Sequence, residues 1–211
     1  MTQIILVRHG RTIWNKQEIF RGTKDVPLDD HGRLEATYAR ERLKDEQIHV
    51  AYSSPLSRAV ETSQIILEPH GIKAQIHDGL IDLNYGDWQG ISHEEVKRLY
   101  PDLYKQWKEA PHTVVFPNGE GLDSVRDRVM ELINHILDVH SGRTVLLAAH
   151  RVVNKVLITA LLGLDNSHFW QIGQDTAAIN IFRYSDKRWI CCLLNDTCHL
   201  KGLEERVTVD F

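Results

Sequence analysis

Apolar residues are arranged along the chain in two patterns, one typical of buried strands and the other of amphipathic helices. The run Ile4 to Val7 is continuously apolar between a polar start and Gly10, as expected for a buried parallel strand. Thr144 to Ala149 has the same character. Elsewhere the apolar positions recur at steps of four and three, which predicts a helix with one face on a core, at Val125, Val129, Leu132, Ile136 and Val139.

The remaining predicted elements alternate between strands and helices, and this order favours an α/β fold. Asp29 and Asp30 are suited to cap a helix whose small face includes Ala36, Ala39 and Leu43. The other predicted elements are a strand over His49–Ser53, a helix opened by Ser53-Ser54-Pro55 and running to Leu67, a helix carrying Val153 to Ala160, and two late strands, antiparallel partners or edges, over Ala177–Tyr184 and Trp189–Leu194.

Residues 85 to 121 are richer in aromatic and loop-forming residues than the rest of the chain. We interpret them as a cap-like insertion that covers one end of the sheet within a single domain. The aromatic residues that mark this segment are Trp88, Tyr100, Tyr104, Trp107 and Phe116.

The chain length of 211 residues suits one domain with a full core. A formal net charge of −4 and the lack of a basic run argue against a nucleic-acid or anionic-membrane partner. A small anionic substrate would therefore need a positive pocket of its own.

The sequence favours a cytoplasmic location. Ile4 to Val7 is too short for a signal-peptide core and has no basic leader, and the apolar stretch Val156 to Leu164 is about half a membrane span. Three cysteines cannot all pair, which suits a reducing compartment. We expect these thiols to be buried strand residues without redox or metal chemistry, at Cys191, Cys192 and Cys198.

Basic residues occupy three predicted junctions between a strand and the helix that follows it. Arg8-His9 ends the first strand, Arg58 lies in the first turn of a helix, and His150-Arg151 ends a later strand. A helix N-terminus is already positive, so cations there are unfavourable unless an anion binds. Ligands of α/β sheets also bind beyond the carboxyl ends of the strands. The three junctions together predict a phosphate-sized anion site.

The histidines indicate what happens at that site. None of the 12 forms the HxH or HxxxH pairs typical of metal sites, and no cysteine lies near His9 or His150, so we expect no metal and no cofactor. A neutral imidazole nitrogen is able to attack phosphorus directly, while guanidiniums hold the phosphoryl oxygens. His9 and His150 are therefore the candidates for an imidazole nucleophile or an acid–base group beside a bound phosphate.

Five sequence blocks, in this order, resemble the histidine phosphatase superfamily in its phosphoglycerate mutase-like branch. The resemblance runs from residue 3 to about residue 195 and implies a three-layer α/β/α sandwich with a mostly parallel sheet and an antiparallel edge. We therefore expect residues 1–211 to form a single histidine phosphatase domain. The blocks are LVRHGRT (Leu6 to Thr12), Asn15, SSPLSRAVET (Ser53 to Thr62), DLNYGDWQG (Asp82 to Gly90) and AAH (Ala148 to His150).

The resemblance also implies roles for individual residues. His9 would be the phosphorylated nucleophile, and Asp82 would be the general acid that protonates the leaving oxygen and then activates water. The residues that it implies for holding the phosphoryl group or the substrate are Arg8, Asn15, Arg21, Gly22, Arg58 and His150.

Several positions depart from the family pattern. Asp82 stands where the family usually has glutamate, so its reach is shorter, and Asp87 is the alternative acid. Arg151 stands where a small residue is typical, and we count it among the substrate-binding residues. The familiar Gly-Glu-Ser before the long helix is Gly119-Glu120-Gly121, in which glycine is still able to serve as the N-cap.

These features predict a metal-independent phosphomonoester hydrolase that acts on a small phosphorylated metabolite through a phosphohistidine. The chain resembles the broad-specificity, α-ribazole and metal-independent phosphoserine phosphatases. Residues 195–200 (NDTCHL) are similar to the phosphoserine group, whereas Tyr85 replaces a histidine that those enzymes use. Mutase-type phosphoryl transfer and a non-catalytic phosphate-binding regulator on the same fold are the alternatives. The pattern leaves the substrate and the oligomeric state open, a homodimer being one option.

Overall fold

The computed structural model describes residues 1–203, so residues 204–211 of the predicted domain lie outside the described part. One sheet has the strand order β3-β2-β4-β1-β5-β6, in which β3, β2, β4 and β1 are parallel and β5 and β6 are antiparallel. The predicted class, a mostly parallel sheet with an antiparallel edge, is confirmed. The strands are β1 (Thr2–Arg8), β2 (Val50–Ser53), β3 (Gln75–Ile76), β4 (Thr144–Ala149), β5 (Ile179–Ser185) and β6 (Arg188–Asp196).

Helices cover both faces of this sheet. The side chains of β1 alternate: Ile4 and Leu6 pack into a core with α6 and α7, while Ile5 and Val7 pack on the other face with α2 and α3. The result is the expected three-layer sandwich. The helices are α1 (Ile13–Lys16), α2 (Asp30–Leu43), α3 (Ser57–Leu67), α4 (His93–Leu99), α5 (Pro101–Glu109), α6 (Leu122–Val139) and α7 (Arg151–Leu161).

Helix α3 starts later than the sequence predicts. Ser54 and Pro55 were expected to cap and open it, but the helix begins at Ser57 with Leu56 as N-cap. The hydroxyl of Ser54 accepts a bond from the Leu56 amide (3.3 Å) and also contacts Nε2 of His150 (2.7 Å). A tertiary contact therefore uses the side chain that local sequence assigned to a helix cap.

The aromatic segment 85–121 contains the short helices α4 and α5. Trp88 and Trp107 are fully buried, and Phe116 nearly so. Their rings belong to the same core as Ile4 of β1. The segment is thus packed on the body of the domain through its aromatic side chains.

The expectation that the cysteines are buried is wrong. Cys191, Cys192 and Cys198 are all exposed free thiols. The first two lie on β6, the edge strand of the sheet, where no further layer of the described chain covers the side chains. Among residues 1–203, no helix combines the length and the apolar character that crossing a membrane requires.

A close backbone approach fixes the loop that follows β1. A Cβ on Gly10 would lie 2.3 Å from the carbonyl oxygen of Gly32, and a Cβ on Gly32 would lie 2.0 Å from that of Arg11. Asp29 caps α2 by accepting a bond from the Gly32 amide (2.7 Å), as predicted. The first turn of α2 therefore holds the chain directly after His9.

Candidate active site

His9 and His150 lie side by side because the two strands before them are neighbours. Strands β1 and β4 are parallel, with Arg8 opposite Ala149, and the His9 amide donates to the Ala149 carbonyl (3.0 Å). The two imidazole centroids are 5.2 Å apart, and neither side chain is exposed. The structure thus brings together two histidines that are far apart in the sequence.

The hydrogen bonds of His9 define its tautomer. Nδ1 lies 2.6 Å from the Gly10 carbonyl oxygen, which only accepts, so Nδ1 carries the proton. Nε2 then has a lone pair, and it makes no hydrogen bond to any described residue. Burial, followed by the charges of Arg58, His150 and Arg21, holds the pKa of His9 well below 6.5. The ring is neutral at physiological pH, with a basic nitrogen available for attack.

His150 is held as the other neutral tautomer. Nε of Arg58 donates to its Nδ1 (3.2 Å), so Nε2 carries the proton and donates to the hydroxyl of Ser54 (2.7 Å). Burial, and then the neighbouring charge of Arg58, holds the pKa of His150 well below 6.5. His150 is consequently a hydrogen-bond donor directed by a buried arginine.

Arg58 connects three parts of the site. Its guanidinium donates to the carbonyls of Lys24 (2.9 Å) and Gly22 (2.8 Å) and to Oδ2 of Asp82 (3.3 Å), in addition to His150. The side chain is completely buried. It therefore fixes the loop after α1, the candidate acid and the second histidine relative to one another.

Gly22 has to be glycine for this arrangement. Its φ is +54°, and a Cβ there would lie 2.2 Å from Oε1 of Gln89 and 2.7 Å from the Leu83 carbonyl oxygen. The tight turn presents the Gly22 carbonyl to Arg58 and places Arg21 beside it in the site.

A narrow cleft of about 40 Å³ is lined by Gly22 and Asp82, both of which Arg58 contacts. It is much smaller than the ~300–1,000 Å³ of pockets for drug-sized ligands. Nε of Arg8 and Nε of Arg21 are buried and make no hydrogen bond to a described residue. Burial, and then the charge of Arg151, lowers the pKa of Arg8 to about 10. The pKa of Arg21 is lowered as well, by burial and by Arg58. The cleft concentrates positive charge. It is lined by Arg8, Trp14, Asn15, Ile19, Phe20, Arg21, Gly22, Asp82, Tyr85, His93, Arg151 and Val152.

Asn15 contributes a neutral donor to this lining. Its Oδ1 accepts bonds from the amide (2.9 Å) and the hydroxyl (3.0 Å) of Thr12. Because the oxygen is occupied, the NH₂ group is what Asn15 offers to the cleft.

The two candidate acids are placed differently. Asp82 is buried, with Oδ2 3.3 Å from Nη2 of Arg58 and 3.8 Å from Nδ1 of His150. Asp87 is exposed and accepts a bond from Asn118 (3.0 Å), outside the cleft. The alternative that Asp87 serves as the acid is not supported, because the turn at Gly86 (φ +53°) directs it to the surface.

Two titratable residues of the cleft were not predicted as part of the site. His93 stacks on Phe20 with ring centroids 3.8 Å apart, and burial, followed by the charge of Arg151, lowers its pKa to about 3. The buried Tyr85 hydrogen-bonds to Arg151, and its pKa is raised to about 12 by burial. Ser92, a good N-cap, marks the start of α4, but nothing in the local sequence shows that His93 faces the cleft.

Within residues 1–203, no group of three or more His, Cys, Asp or Glu side chains is arranged to hold a metal ion.

Comparison with known proteins covers almost the whole chain. The family model of the histidine phosphatase superfamily (branch 1) matches residues 4–197. Phosphoserine phosphatase 1 of Hydrogenobacter thermophilus is 36% identical over 200 residues, 95% of each chain. A 2,3-bisphosphoglycerate-dependent phosphoglycerate mutase of Bartonella henselae is 35% identical over 181 residues, 82% of this chain and 87% of the mutase. The solved structure of Bacillus stearothermophilus YhfR superposes with a TM-score of 0.91 at 29% identity, covering 95% of this chain and 100% of that one.

His93 should make the fold sensitive to acid. Its pKa is about 3 when folded and about 6.5 when unfolded, so between these values the unfolded chain binds more protons. The free energy of unfolding therefore falls as the pH drops below 6.5, by about 2 kcal/mol from this residue at pH 5. His93→Phe keeps an aromatic ring on Phe20 but has no group that titrates. In urea unfolding, this variant should lose less free energy of unfolding between pH 7 and pH 5 than the wild type does.

The control is the exposed His112, whose replacement by Phe should leave the pH dependence as in the wild type. An equal fall in the free energy of unfolding for the wild type and His93→Phe would contradict the claim that His93 makes the fold sensitive to acid.

Proposed function

The chain belongs to the histidine phosphatase superfamily and is a phosphatase, and we propose that it hydrolyses small phosphomonoesters through a phosphohistidine on His9, without a metal ion. The observation that carries this proposal is the state of His9. Its Nε2 is buried, carries a lone pair at neutral pH and belongs to a ring on which the charges of Arg58, Arg21 and Arg8 act. These are the properties of a nucleophile built to attack a phosphorylated anion.

The proposed reaction has two displacements. In the first, Nε2 of His9 attacks phosphorus, the ester P–O bond breaks, and protonated Asp82 gives its proton to the leaving oxygen. In the second, Asp82 takes a proton from water, the water oxygen attacks phosphorus, and the P–N bond breaks. The products are the alcohol and inorganic phosphate, and both His9 and Asp82 return to their starting states.

The cationic groups would stabilise the transferring phosphoryl group. Phosphoryl transfer depends mainly on positioning and on charge stabilisation at the equatorial oxygens. Arg8, Arg21 and Arg58 supply guanidiniums and Asn15 a neutral donor, and the Nε2 proton of His150 would be shared between the Ser54 hydroxyl and a phosphoryl oxygen. Because Arg58, Asn15 and His150 are held by hydrogen bonds to neighbouring groups, they are already oriented before substrate binds.

The charge of the cleft supports a substrate with a second anionic group. The guanidiniums of Arg8, Arg21 and Arg151 line the cleft together with one carboxylate, Asp82, which is itself paired with Arg58. A bound phosphomonoester of about −1.5 to −2 charge leaves positive charge uncompensated. We propose that Arg151, held by the Tyr85 hydroxyl, binds a carboxylate on the substrate. Phosphoserine, which the Hydrogenobacter relative is named for, has this chemistry.

Mutase-type transfer is the second candidate, because the chain is 35% identical to a phosphoglycerate mutase. Product analysis with 3-phosphoglycerate separates the two reactions. Hydrolysis releases inorganic phosphate in step with substrate loss, whereas a mutase forms the 2-phospho isomer faster than it releases phosphate.

Hydrolysis should proceed without metal and should depend on His9. Turnover of p-nitrophenyl phosphate should be unchanged after exhaustive treatment with EDTA, because no proposed step uses a metal. His9→Ala should reduce turnover to background, while His112→Ala, at an exposed position outside the cleft, should keep the wild-type rate. Loss of activity on chelation that magnesium or zinc restores would contradict metal-independent catalysis.

Arg151 should matter only for substrates that carry a carboxylate. Phosphoserine and phosphoethanolamine differ by that one group, so Arg151→Met should lower kcat/KM for phosphoserine by about 10- to 100-fold, from a lost charged hydrogen bond of about 1.5–3 kcal/mol. The value for phosphoethanolamine should change little. Arg98→Met, at an exposed ion pair, is the control. Equal losses of kcat/KM on both substrates would contradict the proposed contact between Arg151 and the substrate carboxylate.

A further inference from the structure

The acid loop, residues 79–84, is tied to helix α6 by a side chain outside the cleft. We propose that Arg128, together with Glu120, is a positioning device that sets where the Asp82 carboxylate lies. This inference rests on the proposed function, in which Asp82 is the general acid.

Arg128 holds the part of the loop that leads into Asp82. Its Nη1 donates to the carbonyl of Gly79 (2.9 Å), and its Nη2 lies 3.4 Å from the carbonyl oxygen of Asp82 itself. Both acceptors are main-chain atoms, so the guanidinium fixes the backbone and leaves the Asp82 carboxylate to Arg58. Because Arg128 belongs to the long helix α6, the anchor is rigid.

Glu120 holds the part of the loop that leaves Asp82. Its Oε1 accepts from Nη2 of Arg128 (3.3 Å) and from the amide of Asn84 (2.9 Å). The main chain is also paired here, since the Glu120 amide donates to the Asn84 carbonyl (3.0 Å). One ion pair therefore binds the chain on both sides of Asp82.

The short side chain of Asp82 makes such fixation necessary. Aspartate has two rotatable bonds, so its carboxylate follows the backbone more closely than that of a glutamate. Oδ2 is already set between Arg58 (3.3 Å) and His150 (3.8 Å). A misplacement of about 1 Å at a reacting group lowers rates by as much as ~10²-fold. Contacts that fix the backbone from outside the cleft therefore also fix the position of the Asp82 carboxylate.

A purely stabilising role explains the arrangement less well. The side chains of the Arg128–Glu120 pair are 20% and 22% accessible, so water screens part of the attraction between the two charges. Arg128 also lies behind the loop, beside His77 and Glu131, and is not part of the cleft lining. Its contacts converge on one functional segment.

The test compares p-nitrophenyl phosphate with phenyl phosphate, which has nearly the same shape but a poorer leaving group. An acid matters most for the poorer leaving group. Arg128→Met should lower kcat/KM about tenfold for phenyl phosphate and less than threefold for p-nitrophenyl phosphate, a split that general destabilisation does not produce. Arg128→Lys, which keeps one donor, should recover part of the loss. Arg126→Met, on the same helix without a bond to the loop, is the control.

The same measurements in the Asp82→Asn background complete the test. Asp82→Asn should show the same split more strongly, and adding Arg128→Met should cause no further loss, because the positioned group is already gone. Equal losses of kcat/KM on the two substrates, or additive losses in the double variant, would overturn the positioning role of Arg128 and Glu120 while leaving Asp82 as the acid. If Asp82→Asn lowers kcat/KM equally for the two substrates, Asp82 is not the general acid, and the positioning role of Arg128 and Glu120 fails as well. Should Arg128→Met not fold, Glu120→Gln gives the same comparison from the other partner.

Discussion

The parallel pairing of β1 with β4 is the contact on which the site depends. It places the ends of two central strands side by side, so that His9 and His150 face each other at 5.2 Å without any direct bond between them. Each ring is then oriented from its own side, His9 by the Gly10 carbonyl and His150 by Arg58 and Ser54. Two neutral imidazoles with opposite tautomers follow from this geometry: Nε2 of His9 has a lone pair, and Nε2 of His150 has a proton that the Ser54 hydroxyl accepts.

Burial of positive charge is the second constraint. The guanidiniums beside these rings are desolvated, which lowers the pKa values of Arg8, Arg21 and Arg58 and of both histidines in the same direction. Main-chain carbonyls of Gly22 and Lys24 and the carboxylate of Asp82 offset part of this cost for Arg58. In the proposed reaction, the negative charge of the bound phosphate offsets the remainder.

The sequence predicts those parts of the molecule that depend on local pattern. Apolar patterns predict the strand β1 and the helix with Val125 and Val129 on its buried face. Helix electrostatics predicts an anion site from the basic residues at the three junctions. The sheet order then brings His9, Arg58 and His150 together, because parallel strands end at the same edge.

What the sequence does not show are contacts between residues that are distant along the chain. The hydroxyl of Ser54 contacts His150 and does not serve as a helix cap. His93 lines the cleft with its ring stacked on that of Phe20. Asp87 was the alternative to Asp82 as the acid, and the structure places it at the surface, after the turn at Gly86. Exposure of the thiols on β6 depends on that strand being the edge of the sheet, a property of topology and not of composition.

Trapping the covalent intermediate tests the central claim most directly. The enzyme is mixed with ³²P-labelled phosphomonoester, quenched within milliseconds at alkaline pH and digested, and the labelled peptide is identified. We expect acid-labile, alkali-stable phosphate on His9, formed and lost at rates that match turnover, and no label in His9→Ala. Label on a serine, on His150, or on no residue while hydrolysis proceeds at its full rate would contradict a phosphohistidine at His9.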